Sequence, residues 1–155
     1  MKYSLFDQIW PRLVNLEDSS EILLWRNDKI TRENSEDKNI VSTEEHKIWL
    51  ERKLDSNSSI LVMFERDEIK LGIVRFDIEK DFTDISINLN PCERGKSLGS
   101  KFLIASEKYI EERPKVKKLR AKILKNNIAS IKVFERSGYK LESAESDVLI
   151  YIKEL

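Results

Sequence analysis

The segment from Asp84 to Ser100 constrains this chain more than any other. Ile85, Ile87 and Leu89 alternate with Asp84, Ser86 and Asn88, the period-two pattern of a strand with one face in a core. Asn90-Pro91 stops that strand, because proline has no N–H to give a sheet ladder. Cys92-Glu93-Arg94-Gly95-Lys96-Ser97 then forms a turn, and from Leu98 onward Leu98, Phe102, Ala105 and Tyr109 recur at helical spacing. A strand that feeds a glycine-bearing turn into a helix makes an anion site, since the first helical N–H groups are unpaired and the helix dipole favours negative charge there. Gly95 and Gly99 let the backbone approach a ligand, and Arg94, Lys96 and Lys101 add positive charge, so phosphate is the guest such a loop suits. An ordinary strand-to-helix turn with solvated basic residues would carry the same residues, and the loop alone does not separate the two readings.

The flanking sequence supplies the rest of an α/β order. After an irregular or strand-like start, Glu17-Asp18-Ser19-Ser20 supplies caps and first-turn acids for a short helix with Ile22, Leu23, Leu24 and Trp25, ending near Asn27. Polar residues from Arg26 to Asn39 read as loop, and Ser42-Thr43-Glu44-Glu45 is a capping box opening a helix with Trp49, Leu50 and Leu54. Ser59 to Glu65 and Lys70 to Asp77 are strands of a hairpin joined at Arg66-Asp67-Glu68. The helix after the loop should end before Pro114, and Leu119 to Leu124 alternates as a strand. Asn127 caps a helix with Ile128, Ile131 and Phe134 on one face, Gly138 suits its C-terminal cap, and Val148 to Ile152 is a last strand. The order predicts a mixed α/β sheet with a long crossover after its third antiparallel strand.

Composition narrows the class further. At 155 residues one domain, spanning 1–155, is expected. Lys plus Arg and Asp plus Glu both count 28, so no general affinity for nucleic acid is expected and any basic site must be local. The single Cys92 and single His46 exclude an internal disulfide and a Cys/His metal site. No run approaches the roughly 18 apolar residues of a membrane span, and Met1 to Trp10 has no signal-like apolar core, so a cytoplasmic location is expected.

Gly95-Lys96-Ser97 is also the tail of a Walker A motif, but the position that needs its opening glycine is Asn90, followed by Pro91. A different resemblance covers nearly the whole chain. Arg94-Gly95-Lys96-Ser97-Leu98-Gly99-Ser100 resembles the pyrophosphate loop of GNAT acetyltransferases, Q/R-x-x-G-x-G/A, with Ser97 at the middle glycine. Asn127-Ile128-Ala129-Ser130-Ile131-Lys132-Val133-Phe134-Glu135-Arg136-Ser137-Gly138-Tyr139 resembles the family's second signature, N-x-x-S-I-x-x-Y/F-E-x-x-G-F/Y. The resemblance implies the GNAT fold, a mixed and mostly antiparallel sheet of about six to seven strands with about four helices, and acetyl-CoA as co-substrate without a metal.

It also implies roles for particular residues. The third and longest strand should splay from its neighbour, leaving N–H groups in the segment Asn88, Leu89 and Asn90 to pair with the pantetheine arm and one to stabilise the oxyanion. Arg94, Gly95, Lys96, Ser97, Leu98, Gly99 and Ser100 would hold the pyrophosphate, with Asn127 and Phe134 beside the cofactor. Transfer would be direct, with Cys92 an incidental thiol. The amine must shed a proton: Asp84 stands where many relatives carry a strand glutamate, and Ser86 could place a water, although a solvated sheet face explains both equally. Phe134 occupies the position of the usual proton-donating tyrosine, leaving solvent or Tyr139 to reprotonate the thiolate.

On the acceptor side, Leu24-Trp25-Arg26-Asn27 and Ser42-Thr43-Glu44-Glu45-His46-Lys47-Ile48-Trp49-Leu50 resemble a subgroup with W-R-N and I-S-x-E-E-H-x-x-W-L. It includes aminosugar N-acetyltransferases of pseudaminic acid biosynthesis and enzymes acting on ribosomal-protein N-termini. The sugar branch implies a small-molecule amine on a sugar nucleotide, with Arg26, His46 and Trp49 in contact with it, and it allows a homodimer. Peptide N-terminal acetylation and a non-catalytic acetyl-CoA-binding module are the other readings, and Trp25 and Trp49, at helical spacing with leucines, are more often core than ligand platform.

Overall fold

The computed structural model describes residues 9–155, so residues 1–8 of the irregular or strand-like start expected before Glu17 lie outside the described residues. Seven strands form one sheet, β1 (Trp10–Leu13), β2 (Ser59–Arg66), β3 (Ile69–Ile78), β4 (Thr83–Leu89), β5 (Lys118–Leu124), β6 (Lys140–Glu145) and β7 (Val148–Glu154), in the order β1-β2-β3-β4-β5-β7-β6. Among the described residues only the β4–β5 contact is parallel, and the helix needed to bring the chain back is α4 (Leu98–Ile110). The other helices are α1 (Ser19–Asn27), α2 (Lys29–Glu33), α3 (Thr43–Asp55) and α5 (Ile128–Arg136). This is the GNAT fold, with seven strands and five helices.

Alternation along the strands sorts two cores onto opposite faces. Val62, Phe64, Val74, Phe76 and Ile85 pack against Leu98, Phe102 and Leu103 of α4 and Phe134 of α5. Leu61, Met63 and Ile73 turn the other way and meet Ile22 and Trp25 of α1 and Leu50 of α3. Burying each such side chain contributes about 1.5–3 kcal/mol, so the pattern fixes which helices cover which face. Asp84, Ser86 and Asn88, alternating with the core residues of β4, share the α1–α3 face.

Local signals set most of the boundaries. Ser42 Oγ accepts from the Glu45 N–H at 3.1 Å and Glu45 accepts from the Ser42 N–H, completing the capping box of α3. The hairpin turn forms at Asp67-Glu68, both in the left-handed region. Three elements differ from the sequence reading. The stretch Arg26 to Asn39 is not all loop, because Asp28 caps the short α2. β6 carries little apolar alternation, as an edge strand whose only ladder is with β7. Ile128 is exposed, so the face of α5 in the core is carried by Phe134 and the half-buried Ile131. Among the described residues no helix is long and apolar enough to cross a membrane.

Candidate active site

β4 and β5 are paired only at Thr83↔Leu119 and Asp84↔Arg120. Beyond that point β4 follows β3 as far as Gly72↔Leu89, while β5 follows β7 to Leu124↔Val148, so a wedge opens between them. Its cause is visible at the end of β4. The Asn90 N–H donates to the Leu71 carbonyl at 2.8 Å, and Asn90 Nδ2 donates to the Lys70 carbonyl at 2.9 Å, drawing the strand toward β3. Gly72 permits the approach: a Cβ there would lie 2.7 Å from the Asn88 oxygen and 2.9 Å from Leu89 Cα. The splaying strand is therefore the expected one, although β3 and not β4 is the longest.

The mouth of the wedge leads to the loop before α4. Gly95 has φ 74° with open space where a Cβ would stand, and Ser97 at φ 58° is left-handed despite its side chain. Ser97 makes no side-chain cap, so the first N–H groups of α4 have no hydroxyl partner from that residue. Gly99 lies against α5, where a Cβ would be 3.1 Å from Val133 Cγ2. Leu98 is buried in the core and Ser100 is half-buried. Two of the basic residues are already paired: Lys96 Nζ lies 3.0 Å from Glu93, and Arg94 Nη2 donates to Asp28 Oδ2 and Thr31 Oγ1, both at 2.7 Å. Arg94 thus ties the loop to the start of α2, and its bond holds the Asp28 carboxyl below the usual range. Asn127 caps α5 by accepting from the Ser130 N–H at 3.3 Å. Phe134 is buried, edge-on to Tyr139 with ring centroids 4.9 Å apart.

Two residues singled out for proton transfer do other work. Asp84 receives Arg120 Nε at 2.6 Å and Nη2 at 2.9 Å, so both its oxygens are held in a fork, and Arg120 lies 3.7 Å over the Phe82 ring. At the apex of the wedge this pair joins β4 to β5, with both carboxylate oxygens of Asp84 engaged by Arg120. Tyr139 is only 3% exposed, within the core on the α4–α5 face. Its phenol faces Glu107 without a hydrogen bond of good geometry, and burial together with that carboxylate pushes its pKa up. The phenol ring thus lies enclosed in the core cluster beside Phe134. Ser86 is exposed on the α1–α3 face and Asn88 is half-buried beside it.

The three expected acceptor residues lie on the helices over that same face. His46 is buried, with Nδ1 3.2 Å from Ser19 Oγ and Nε2 enclosed without a partner; burial lowers its pKa and leaves it neutral at pH 7. Trp49 is half-buried against the core, 5.5 Å from the His46 ring. Arg26 Nη2 donates to the Asp37 carbonyl at 2.8 Å, whereas its Nη1 is buried without a partner. Sequence reasoning missed Gly72, Asp28 and Arg120. Their roles come from strand register and cross-chain pairing, for which no local pattern exists.

A strand wedge that opens onto a helix start without a side-chain cap can take an extended ligand that ends in an anion. The model of the "Acetyltransferase (GNAT) domain" matches residues 10–140, and the chain belongs to that family of N-acetyltransferases. No curated protein matches the chain in sequence. Among solved structures, the spermidine N-acetyltransferase from Vibrio cholerae in complex with CoA and spermine superposes with a TM-score of 0.85 at 15% identity, covering 96% of each chain. A domain from Methanocaldococcus jannaschii gives 0.81 at 24% identity, covering 95% of this chain and 98% of that one. The Campylobacter jejuni N-acetyltransferase PseH in complex with acetyl coenzyme A gives 0.74 at 20% identity, covering 94% and 98%. At these identities the likeness is one of fold.

Proposed function

We propose that the chain transfers the acetyl group of acetyl-CoA directly to a primary amine, best matched by the 4-amino group of a nucleotide-linked deoxyaminosugar. The observation that carries the cofactor half is the continuity of the wedge with the start of α4. The pyrophosphate meets the backbone N–H groups of Gly95 to Ser100, and the pantetheine arm lies along the outer edge of β4 at Asn88 and Leu89. The observation favouring a phosphate-bearing acceptor is Arg26, a cation with a buried and unspent donor on a helix over the α1–α3 face.

The chemistry needs few side chains. The amine lone pair attacks the thioester carbonyl, the oxyanion is held by a backbone donor of β4, and collapse breaks the C–S bond. Orientation in the wedge supplies much of the acceleration. The nitrogen loses its proton to water placed near Ser86, and the departing thiolate takes one from solvent, which a thiol pKa of about 8.5 permits.

Purified protein with acetyl-CoA is offered a UDP-linked 4-amino-4,6-dideoxysugar, peptides and spermidine while CoA thiol release is followed. Release with the sugar nucleotide at least about tenfold above the other amines is the expected result. Release with peptides or spermidine alone would overturn the sugar reading, and release with no amine would overturn transfer itself.

A further inference from the structure

On the α1–α3 face of the sheet a local cluster of side chains carries more positive than negative charge, and its centre is a residue outside both family signatures. Arg75 on β3 stands opposite Ser86 of β4 in the antiparallel register, so the two side chains leave the sheet together. Its guanidinium sits 5.8 Å from the centroid of the Trp49 ring. Its Nε donates to Asp77 Oδ2 at 2.8 Å, while neither of its terminal nitrogens has a hydrogen-bond partner among the described residues. Asp77 is not a dedicated counter-ion. Its Oδ1 also accepts from Lys53 Nζ at 2.8 Å and from Ser59 Oγ at 2.6 Å. Burial would raise the Asp77 pKa, but Lys53, Ser59 and Arg75 outweigh it, and the group stays ionised.

The formal sum over the side chains around Arg75 follows. Lys53 and Arg75 bring two positive charges against the one of Asp77; Asp84 and Arg120 cancel in their fork; His46 is neutral. One positive charge remains in this cluster, and Arg75 holds two terminal nitrogens without a hydrogen-bond partner among the described residues. Such a cluster disfavours a polyamine and suits an amine that carries an oxyanion, because a guanidinium with two free N–H edges can take an oxyanion in a forked pair.

We propose that Arg75 is the specificity-determining residue of the acceptor site, selecting amines that bear a phosphate or carboxylate over polycationic amines. This rests on the placement of the acceptor on the α1–α3 face. It goes beyond the sugar reading by stating which residue discriminates and which substrates it rejects.

Equilibrium binding separates this inference from the transfer reading, because it needs no turnover. Protein saturated with CoA is titrated calorimetrically with a UDP-linked 4-amino-4,6-dideoxysugar, the same aminosugar without its nucleotide, glutamate and spermidine. The two anionic arms separate phosphate from carboxylate as the group read. The expected result is that at least one anionic amine binds at least tenfold tighter than spermidine. Arg75→Gln removes that preference by about tenfold, Arg75→Lys keeps part of it, and CoA affinity is unchanged in both, which shows the fold intact. Spermidine binding as tightly as the anionic amines, or an unaltered preference in Arg75→Gln with CoA binding retained, overturns the proposal. Arg75→Lys carries the same comparison if Arg75→Gln fails to bind CoA.

Discussion

The cofactor end and the acceptor end of this molecule are built from different materials. Around the wedge the working parts are backbone: the strand edge from Ile85 to Leu89, the left-handed Gly95 and Ser97, and the open first turn of α4. Over the α1–α3 face they are side chains on separate elements, Arg26 on α1, His46 and Trp49 on α3, Arg75 on β3. The first kind of site depends on how closely chains approach. The second depends on which charges remain after neighbours have paired.

The sharpest way to break that contrast is Gly72→Ala. The new Cβ has no room against the Asn88 carbonyl and Leu89 Cα, so β4 must shift away from β3, at a cost of about 3 kcal/mol. Urea unfolding and calorimetric titration with acetyl-CoA should show a loss of stability and at least about a tenfold loss of cofactor affinity. Intact affinity would mean that the backbone path of β4 does not govern the wedge.

Acid tests the other end. Burial favours protonation of Asp18, but bonds from Arg12, the Asn15 N–H and Lys70 prevail and hold its pKa at about 2, against 3.8 for the free side chain. Because the folded pKa is depressed, the stability it brings is complete above 3.8 and disappears as pH falls through about 2. Between pH 4.5 and 2 the wild type should lose about 2 kcal/mol more than Asp18→Asn. Hydrogen exchange should show α1 loosening first, and simultaneous loosening of α4 would erase the distinction between the ends.

The smallest expected effect lies in the loop. Ser97 occupies a left-handed conformation that costs a residue with a Cβ about 1 kcal/mol, so Ser97→Gly should stabilise the chain by that amount with acetyl-CoA affinity unchanged. Destabilisation in urea would show that the hydroxyl does something the backbone does not.

The same division explains what could be read from the sequence. The strand stop at Asn90-Pro91, the loop into α4 and the Asn127 cap are local signals, each decided by neighbours in the chain, and all three stand where expected. β6 was not placed, because a polar edge strand owes its conformation to β7. The arginine that engages Asp84 is 36 positions away and meets it through a parallel register, so no local pattern announces the fork. Tyr139 looked like a donor because a C-cap pattern does not reveal that the ring folds back over Phe134.

The seam at the wedge also sets how damage spreads through the molecule. Seven strands make one sheet, yet among the described residues two pairs and one arginine–aspartate fork are the β4–β5 joint. Mechanically this is two sheets hinged at a point, with α4 and the shared core as the brace. A substitution that frays β6 and β7 can therefore spoil the β5 wall of the wedge while β1 to β4 keep their register. Loss of activity without loss of the N-terminal ladder is the failure this architecture favours.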